Sequence, residues 1–205
     1  MGSRLTPATE ILDRYRRRAD AFERKVAAVR PAQWSNPSPC AKWSARDVVD
    51  HVVGLHQFML QPLDRSPAAA PSVAEEPLAA FRSARADLEA VLADPELSAV
   101  RCETPNGPMT VAEQIDQVAS DDLPQHGWDL ARATGQDDTI DPDDLDRLWS
   151  ITTAISPELM EKYRTPGAFG SGIEVFGPEV EVGHDAPLQH RFLGIIGRDP
   201  NWTAP

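Results

Sequence analysis

Two residues with ligand chemistry, Asp122 and His126, lie four positions apart in the segment "DDLPQHGWDLARATG". Residues at this spacing lie side by side on one surface of an α-helix. They continue an otherwise apolar stripe at spacings of three and four: Ile115, Val118, Asp122, His126 and Leu130. A buried carboxylate or imidazole is costly unless it is paired or binds a cation. Whether this pair binds a cation therefore depends on whether a third polar residue elsewhere in the chain faces it.

A third candidate, His51, lies three residues after Val48 and four before Leu55, on the apolar side of an earlier predicted helix. The three candidates make a set of two imidazoles and one carboxylate with coordination positions left open. Such nitrogen and oxygen ligands suit zinc, iron, nickel or cobalt. Spacing alone equally allows buried histidines and a simple hydrogen bond along the helix. His56 fits the stripe less well and is expected at the periphery.

Other residues near these candidates have simpler interpretations. Asp129 could orient an imidazole, although a solvent-facing or capping position is an equal alternative. Cys40 precedes the second helix, where the helix dipole lowers a thiol pKa, but a structural thiol is the favoured interpretation. Trp34 and Trp43 are interpreted as packing residues and not as a platform for a substrate.

Composition excludes several classes of protein. The chain has 205 residues and a net charge of −12, which argues against nucleic acid or an anionic membrane as the main partner. The basic run Arg14–Arg18 is interpreted as a solvated helix face. No run reaches the roughly 18 apolar residues of a membrane span, and no apolar signal core is present at the N-terminus. We expect a cytoplasmic protein with unpaired thiols at Cys40 and Cys102.

Four long amphipathic helices are predicted before the C-terminal region. They cover residues 9–29, 44–60, 78–92 and 110–134. Ser44 with Asp47, and Thr110 with Glu113, have the spacing of capping boxes at the starts of the second and fourth helices. Pro124 is expected to kink the fourth helix, because it removes a backbone hydrogen bond. The helices predict an up-and-down or crossover bundle.

The rest of the chain is predicted to be shorter and less regular. "TPNGP" predicts a tight turn between two short extended segments, and "DPDDLDRLWSITTAISPELMEKY" predicts a fifth helix. The last forty residues are rich in glycine and proline, with a possible strand "PEVEV" and a short helix "PLQHRFLGIIG". We therefore expect a bundle over residues 1–160, with residues 161–205 forming a short α/β arm packed on it.

Three segments together resemble an actinobacterial protein family. "PSPCAKWSARDVVDHVVGLHQFM", "DDLPQHGWDLARATGQ" and "DAPLQHRFLGIIGRDPNW" are similar to the family of the metal-binding domain of mycothiol-dependent maleylpyruvate isomerase, within the DinB-like superfamily. The resemblance implies a mainly α fold, a DinB-like four-helix bundle. It also implies a divalent metal, zinc being the expected ion and nickel, iron or cobalt the alternatives. The implied ligands are His51, Asp122 and His126.

The resemblance further implies a thiol chemistry. Mycothiol would serve as cofactor or co-substrate, and its metal-bound thiolate would attack a small electrophilic substrate. A metal-dependent thiol S-transferase or isomerase-like enzyme is expected, as a monomer or homodimer, and a non-catalytic metal- or small-molecule-binding bundle is the alternative. Asp122 stands where the isomerase itself has a glutamate, and the C-terminal arm is shorter than the isomerase's second domain. A thiol transfer other than maleylpyruvate isomerisation is therefore expected.

Overall fold

The computed structural model describes residues 8–104, 107–168 and 175–204. Contacts within the chain divide it into two units, Met1–Asp138 and Thr139–Pro205. This division falls earlier than the boundary at residue 160 expected from the sequence. The packing of an arm on the bundle stays a prediction. No helix among the described residues is both long and apolar enough to cross a membrane.

The first unit contains the four predicted long helices, with a hairpin before the last of them. In chain order its elements are α1 (Ala8–Ala28), α2 (Ala45–Phe58), α3 (Pro77–Ala93), α4 (Pro95–Ser98), β1 (Arg101–Thr104), β2 (Gly107–Thr110), α5 (Val111–Gln114), a π-helical turn (Ile115–Ser120) and α6 (Asp121–Thr134). The antiparallel strands β1 and β2 confirm the extended pair predicted around "TPNGP". Residues 105 and 106 at its tip lie outside the described residues.

Local capping explains where two of these helices begin. The Ser44 hydroxyl accepts a hydrogen bond from the Asp47 N–H, and the Asp47 carboxylate accepts from the Ser44 N–H, so the predicted capping box is confirmed. Thr110 and Glu113 form the same reciprocal pair before α5. These side chains pair backbone N–H groups that have no partner within a helix. Helix α6 ends where Gly135 takes a left-handed φ of 69°.

Ion pairs show how α1 and α3 run. Helix α1 packs against α3 and α6, and α2 packs against the same two helices. Arg16 pairs with Glu89, and Glu23, later in α1, pairs with the earlier Arg82. The order of partners is reversed, so α1 and α3 are antiparallel. The core between the helices contains one apolar stripe of α1, whose members Ile11, Tyr15, Ala19, Phe22 and Val26 are all buried.

The directions of the remaining helices identify a crossover bundle. Along α1 and α6 the partners keep the same order: Arg14 with Asp116, then Arg18 with Asp121. Helices α1 and α6 are therefore parallel. Helix α2 is antiparallel to α6, as the contacts described below show, and it is therefore parallel to α3. The long segment 59–76 between α2 and α3 makes the crossover that this arrangement requires.

The fourth long helix contains a π-helical turn that the sequence did not predict. The Asp121 N–H donates to the Asp116 carbonyl, five residues back, before α6 continues to Thr134. Pro124, which lacks an N–H for the Ser120 carbonyl, lies in the first turn of α6, four residues after the end of the π-helical turn. Val118 was predicted to face inward, but its side chain is 37% exposed. A π turn holds more residues than an α turn, so the α-helical spacing misplaces Val118.

Two further predictions from the sequence are wrong about how exposed a residue is. His56, expected at the periphery, is 1% exposed, with Nδ1 2.7 Å from the Val52 carbonyl oxygen. Its ring packs near those of Tyr15 and Phe81, which the α2 sequence alone does not reveal. The basic run of α1 is not wholly solvated, because Arg18 is only 2% exposed.

The second unit is built from three short helices and irregular segments in its described part. They are α7 (Pro142–Thr153), α8 (Pro157–Arg164) and α9 (Leu188–Ile195). The predicted fifth helix is thus two helices, because Ser156 caps a new start and Pro157 follows it. The expected strand "PEVEV" is irregular, although the Val180 N–H donates to the Gly194 carbonyl of α9. The short helix predicted in "PLQHRFLGIIG" is confirmed.

Candidate metal centre

The structure brings the three candidate ligands together at the interface of α2 and α6. His51 Nε2 lies 3.5 Å from Asp122 Oδ2, and His126 Nε2 lies 3.3 Å from Asp122 Oδ1. One ligand atom from each residue can be chosen so that all three lie within 4.8 Å of one another. The two imidazole rings meet edge to face, with centroids 4.7 Å apart. The i, i+4 pair on α6 therefore finds its third member on the neighbouring helix, as the sequence predicted.

These separations suit a shared cation better than they suit hydrogen bonds. An N–H···O hydrogen bond is about 2.7–3.2 Å long. Ligands about 2.0–2.2 Å from a tetrahedral zinc ion lie about 3.3–3.5 Å from each other. The two observed nitrogen–oxygen distances, each to a different oxygen of Asp122, match this spacing of ligands around zinc. In addition, Asp122 Oδ2 is buried and makes no hydrogen bond among the described residues. A cation would satisfy this oxygen, so the residues present fit a divalent metal.

Burial and charge act in opposite directions on the titration of this cluster. Burial raises the pKa of Asp122, but the imidazoles of His126 and His51 outweigh it, and the pKa lies well below the usual range. Burial lowers the pKa of His126, but Asp122, Asp129 and Cys40 outweigh it, and the pKa is raised well above the ordinary value. In the absence of a metal, this shift favours the protonated form of His126. Metal binding must displace that proton.

A second group of residues holds the other nitrogen of His126. Asp129 Oδ2 lies 2.9 Å from His126 Nδ1 and 3.0 Å from Cys40 Sγ, which donates to it. Cys40 Sγ is 4.0 Å from the same Nδ1. The distances to Asp129 are those of hydrogen bonds, and the Asp129 residue is 0% exposed. We therefore assign Asp129 the orienting position, which was one of its two predicted alternatives. It directs His126 Nε2 toward Asp122.

The sequence underestimated how closely Cys40 and Trp43 approach the candidate ligands. The Trp43 ring lies 4.9 Å from the His51 ring and 5.8 Å from the His126 ring, centroid to centroid. It packs as predicted, but against the two histidines. Cys40 precedes α2 and meets Asp129 late in α6, whereas His51 meets Asp122 early in α6, which shows that the two helices are antiparallel. The closeness of Cys40 and Trp43 to α2 in "PCAKWSARDVVDH" was the available signal.

The polar residues of the second unit have contacts of their own. The guanidinium carbon of Arg191 lies 4.5 Å from the centroid of the Trp149 ring. His184 is highly exposed and pairs with the adjacent Asp185. His184 belongs to no metal-ligand group found among the described residues.

The fold and the cluster define a class: a mainly helical bundle with a short α/β region and a set of two histidines and one carboxylate between two of its helices. Residues 15–131 match the family model described as the mycothiol maleylpyruvate isomerase N-terminal domain. The match covers more than half of the chain, and the chain belongs to this family. The matched residues include the candidate ligands of both α2 and α6.

The chain is also similar to a relative of unassigned function and to solved structures. The chain is 28% identical over 185 residues to Uncharacterized protein Rv0738 of Mycobacterium tuberculosis strain H37Rv, covering 90% of this chain and 95% of the relative, and an equal match exists in strain CDC 1551. The crystal structure of the mycothiol-dependent maleylpyruvate isomerase aligns with a TM-score of 0.54 at 17% identity, over 79% of this chain and 75% of that one. A histidine-to-alanine mutant of that enzyme aligns with a TM-score of 0.52. At this identity the structural likeness shows the fold.

Proposed function

We propose that this chain is a divalent-metal-binding, mycothiol-dependent enzyme that transfers a thiol to a small electrophile, with His51, Asp122 and His126 holding the metal. The observation that carries the proposal is the pair of imidazole nitrogens 3.3 and 3.5 Å from the two oxygens of Asp122, of which Oδ2 is buried and makes no hydrogen bond among the described residues. Membership of the mycothiol maleylpyruvate isomerase family supports the choice of thiol. Zinc is the metal we expect from this donor set, with nickel, iron and cobalt as alternatives.

When bound, the metal would lower the pKa of a coordinated thiol and favour the thiolate. The residues of the chain prepare this site. Asp129 keeps the Nδ1–H of His126 engaged, so that the lone pair of Nε2 faces the cluster. Trp43 covers one side of both imidazole rings and restricts their rotation. His51 is the most accessible of the three, with its side chain 33% exposed, so a thiol would approach from its side.

A non-catalytic metal- or small-molecule-binding bundle is the second candidate. One observation favours it: a cavity of about 380 Å³ in the first unit is lined by α2, α3 and the segment between them, and not by the three candidate ligands. An enzyme of this kind needs space beside the metal for both the thiol and the electrophile. A protein that binds a metal or small molecule without turnover would need less space beside the metal.

Metal content by mass spectrometry, followed by a thiol-transfer assay, tests the proposal. We expect one equivalent of metal in the native chain and loss of that metal in His126→Ala. The matched control His184→Ala removes an exposed histidine and should retain the metal. The native chain should then accelerate the reaction of mycothiol with 1-chloro-2,4-dinitrobenzene, and His126→Ala should not. Metal binding without acceleration would favour the second candidate, and no metal even after incubation with zinc or nickel would refute both metal-based proposals.

A further inference from the structure

The π-helical turn Ile115–Ser120 lies directly before Asp122, the candidate ligand at the start of α6. A π-helical turn inserts one extra residue into an α-helix. Successive residues of an α-helix are about 100° apart around its axis. An uninterrupted α-helix with Ile115 in its present place would therefore turn Asp122 about 100° from its observed direction. The approach of Asp122 to His51 depends on the turn.

Two arginines of α1 hold the two ends of this turn. Arg14 makes a forked pair with Asp116, with Nε 2.9 Å from Oδ1 and Nη2 2.7 Å from Oδ2. One turn later, Arg18 Nη1 donates to Ser120 Oγ at 3.0 Å and to Asp121 Oδ1 at 2.6 Å. The Arg18 side chain is 0% exposed and that of Asp121 is 7% exposed. These contacts are shielded from water, where an ion pair constrains geometry most strongly.

The spacing of the pairs matches a π turn and does not match an α turn. Arg14 and Arg18 are four residues apart and lie on one face of α1. Their partners Asp116 and Asp121 are five residues apart. In an α-helix, residues five apart point about 140° away from each other, so both could not face α1. In the π turn, the hydrogen bond from the Asp121 N–H to the Asp116 carbonyl brings positions five apart into line.

We infer that Arg14 and Arg18 are positioning residues, which hold the π-helical turn and thereby direct Asp122 and His126 toward α2. This role rests on the proposed metal site. Buried ion pairs often add little net stability compared with apolar residues of similar volume. They can instead select one backbone geometry, and the geometry selected here is the one in which the candidate ligands converge.

The test compares metal binding and local backbone protection in matched arginine variants. Arg14→Met and Arg18→Met each remove one clamp, and Arg14→Lys keeps the charge without the forked geometry. The control Arg16→Met is on the same helix but breaks an exposed pair with Glu89 on α3. The zinc dissociation constant is measured by competition with a chromophoric chelator. Amide hydrogen exchange over residues 115–122 is measured on the metal-free protein, together with the melting temperature.

We expect Arg14→Met to weaken zinc binding about 10- to 100-fold, as removal of a residue that supports a ligand typically does. Exchange should become faster within residues 115–122 of this variant, and Arg14→Lys should lie between Arg14→Met and the wild type. Arg16→Met should match the wild type in both measurements. The Arg14 side chain is 17% exposed, so its variant is expected to fold even if Arg18→Met does not.

Two different results would overturn the inference. Wild-type zinc affinity and exchange in a folded Arg14→Met variant would show that the arginines do not position the ligands, while the proposed metal site would stand. An equal loss of affinity in Arg16→Met would show a general effect of stability and would lead to the same conclusion. If the wild-type chain binds neither zinc nor nickel, the proposed function itself fails and the positioning role fails with it, which distinguishes this result from the first two.

Discussion

Replacement of Asp129 by asparagine should weaken metal binding although Asp129 is not a candidate ligand. Its Oδ2 lies 2.9 Å from His126 Nδ1 and accepts from Cys40 Sγ at 3.0 Å. Asparagine has a similar shape, but it lacks the negative charge and presents an NH₂ group in place of one oxygen. The variant would therefore hold the His126 ring less firmly and reduce the basicity of Nε2.

The magnitude follows from the position of Asp129 behind a ligand. Loss of a carboxylate that orients a metal-binding histidine typically costs about 10- to 100-fold in metal affinity. This range corresponds to about 1.4–2.8 kcal/mol of binding free energy. Complete burial of Asp129 favours the upper part of the range, because solvent cannot screen its interaction with the imidazole.

Competition with a chromophoric chelator measures this change directly. The dissociation constant for zinc is compared in the native chain, in Asp129→Asn and in Asp138→Asn. Asp138 is a matched control, because its side chain is 33% exposed and pairs with Arg132 away from the cluster. Zinc binding of native strength in Asp129→Asn would refute the orienting role. An equal loss in the control would attribute the effect to the net charge of the protein.

Two further predictions concern stability. The folded-state pKa of His56 is lowered to about 4 by burial, so the unfolded chain takes up its proton first as the pH falls. Protonation of this group should therefore lower the free energy of unfolding by about 3 kcal/mol between pH 6.5 and pH 4. Urea unfolding at pH 7 and at pH 4.5 should show a smaller loss of stability in His56→Phe than in the native chain. Equal losses in the two proteins would contradict this reasoning. Gly197→Ala should destabilise the second unit by about 1–3 kcal/mol, because Gly197 has a φ of 80° that an alanine rarely adopts. The loss of stability should be larger still, because the new Cβ would lie 2.5 Å from the Gly177 backbone. Calorimetry should show no comparable change for Gly183→Ala, where the added Cβ meets no atom within 4 Å.

The sequence predicted most reliably those features that depend on residues close together along the chain. The starts of α2 and α5 follow from Ser44 and Thr110, whose hydroxyls accept from N–H groups three residues later. The closeness of Asp122 to His126 follows from helical spacing alone. That His51 faces them was predicted from the packing of two apolar helix faces, although the direction of Asp122 also depends on the π-helical turn before it. Their proposed role as metal ligands awaits experiment.

Long-range contacts decided what the sequence could not show. The α-helical period placed Val118 inward and His56 outward. Both predictions were wrong, because the π-helical turn exposes Val118 and the His56 ring packs near those of Tyr15 and Phe81. The basic run on α1 looks like a solvated face until Arg18 meets Asp121, more than a hundred residues away.

Local chemistry in this chain thus specifies the helices, their capped starts and the three residues with ligand chemistry, because each depends on residues within one or two turns. The tertiary structure alone decides the crossover path between α2 and α3 and the π turn before Asp122. It also decides the contact of Asp129 with both His126 and Cys40. These features depend on charges and side-chain volumes brought together from distant segments, and no pattern within a single segment encodes them.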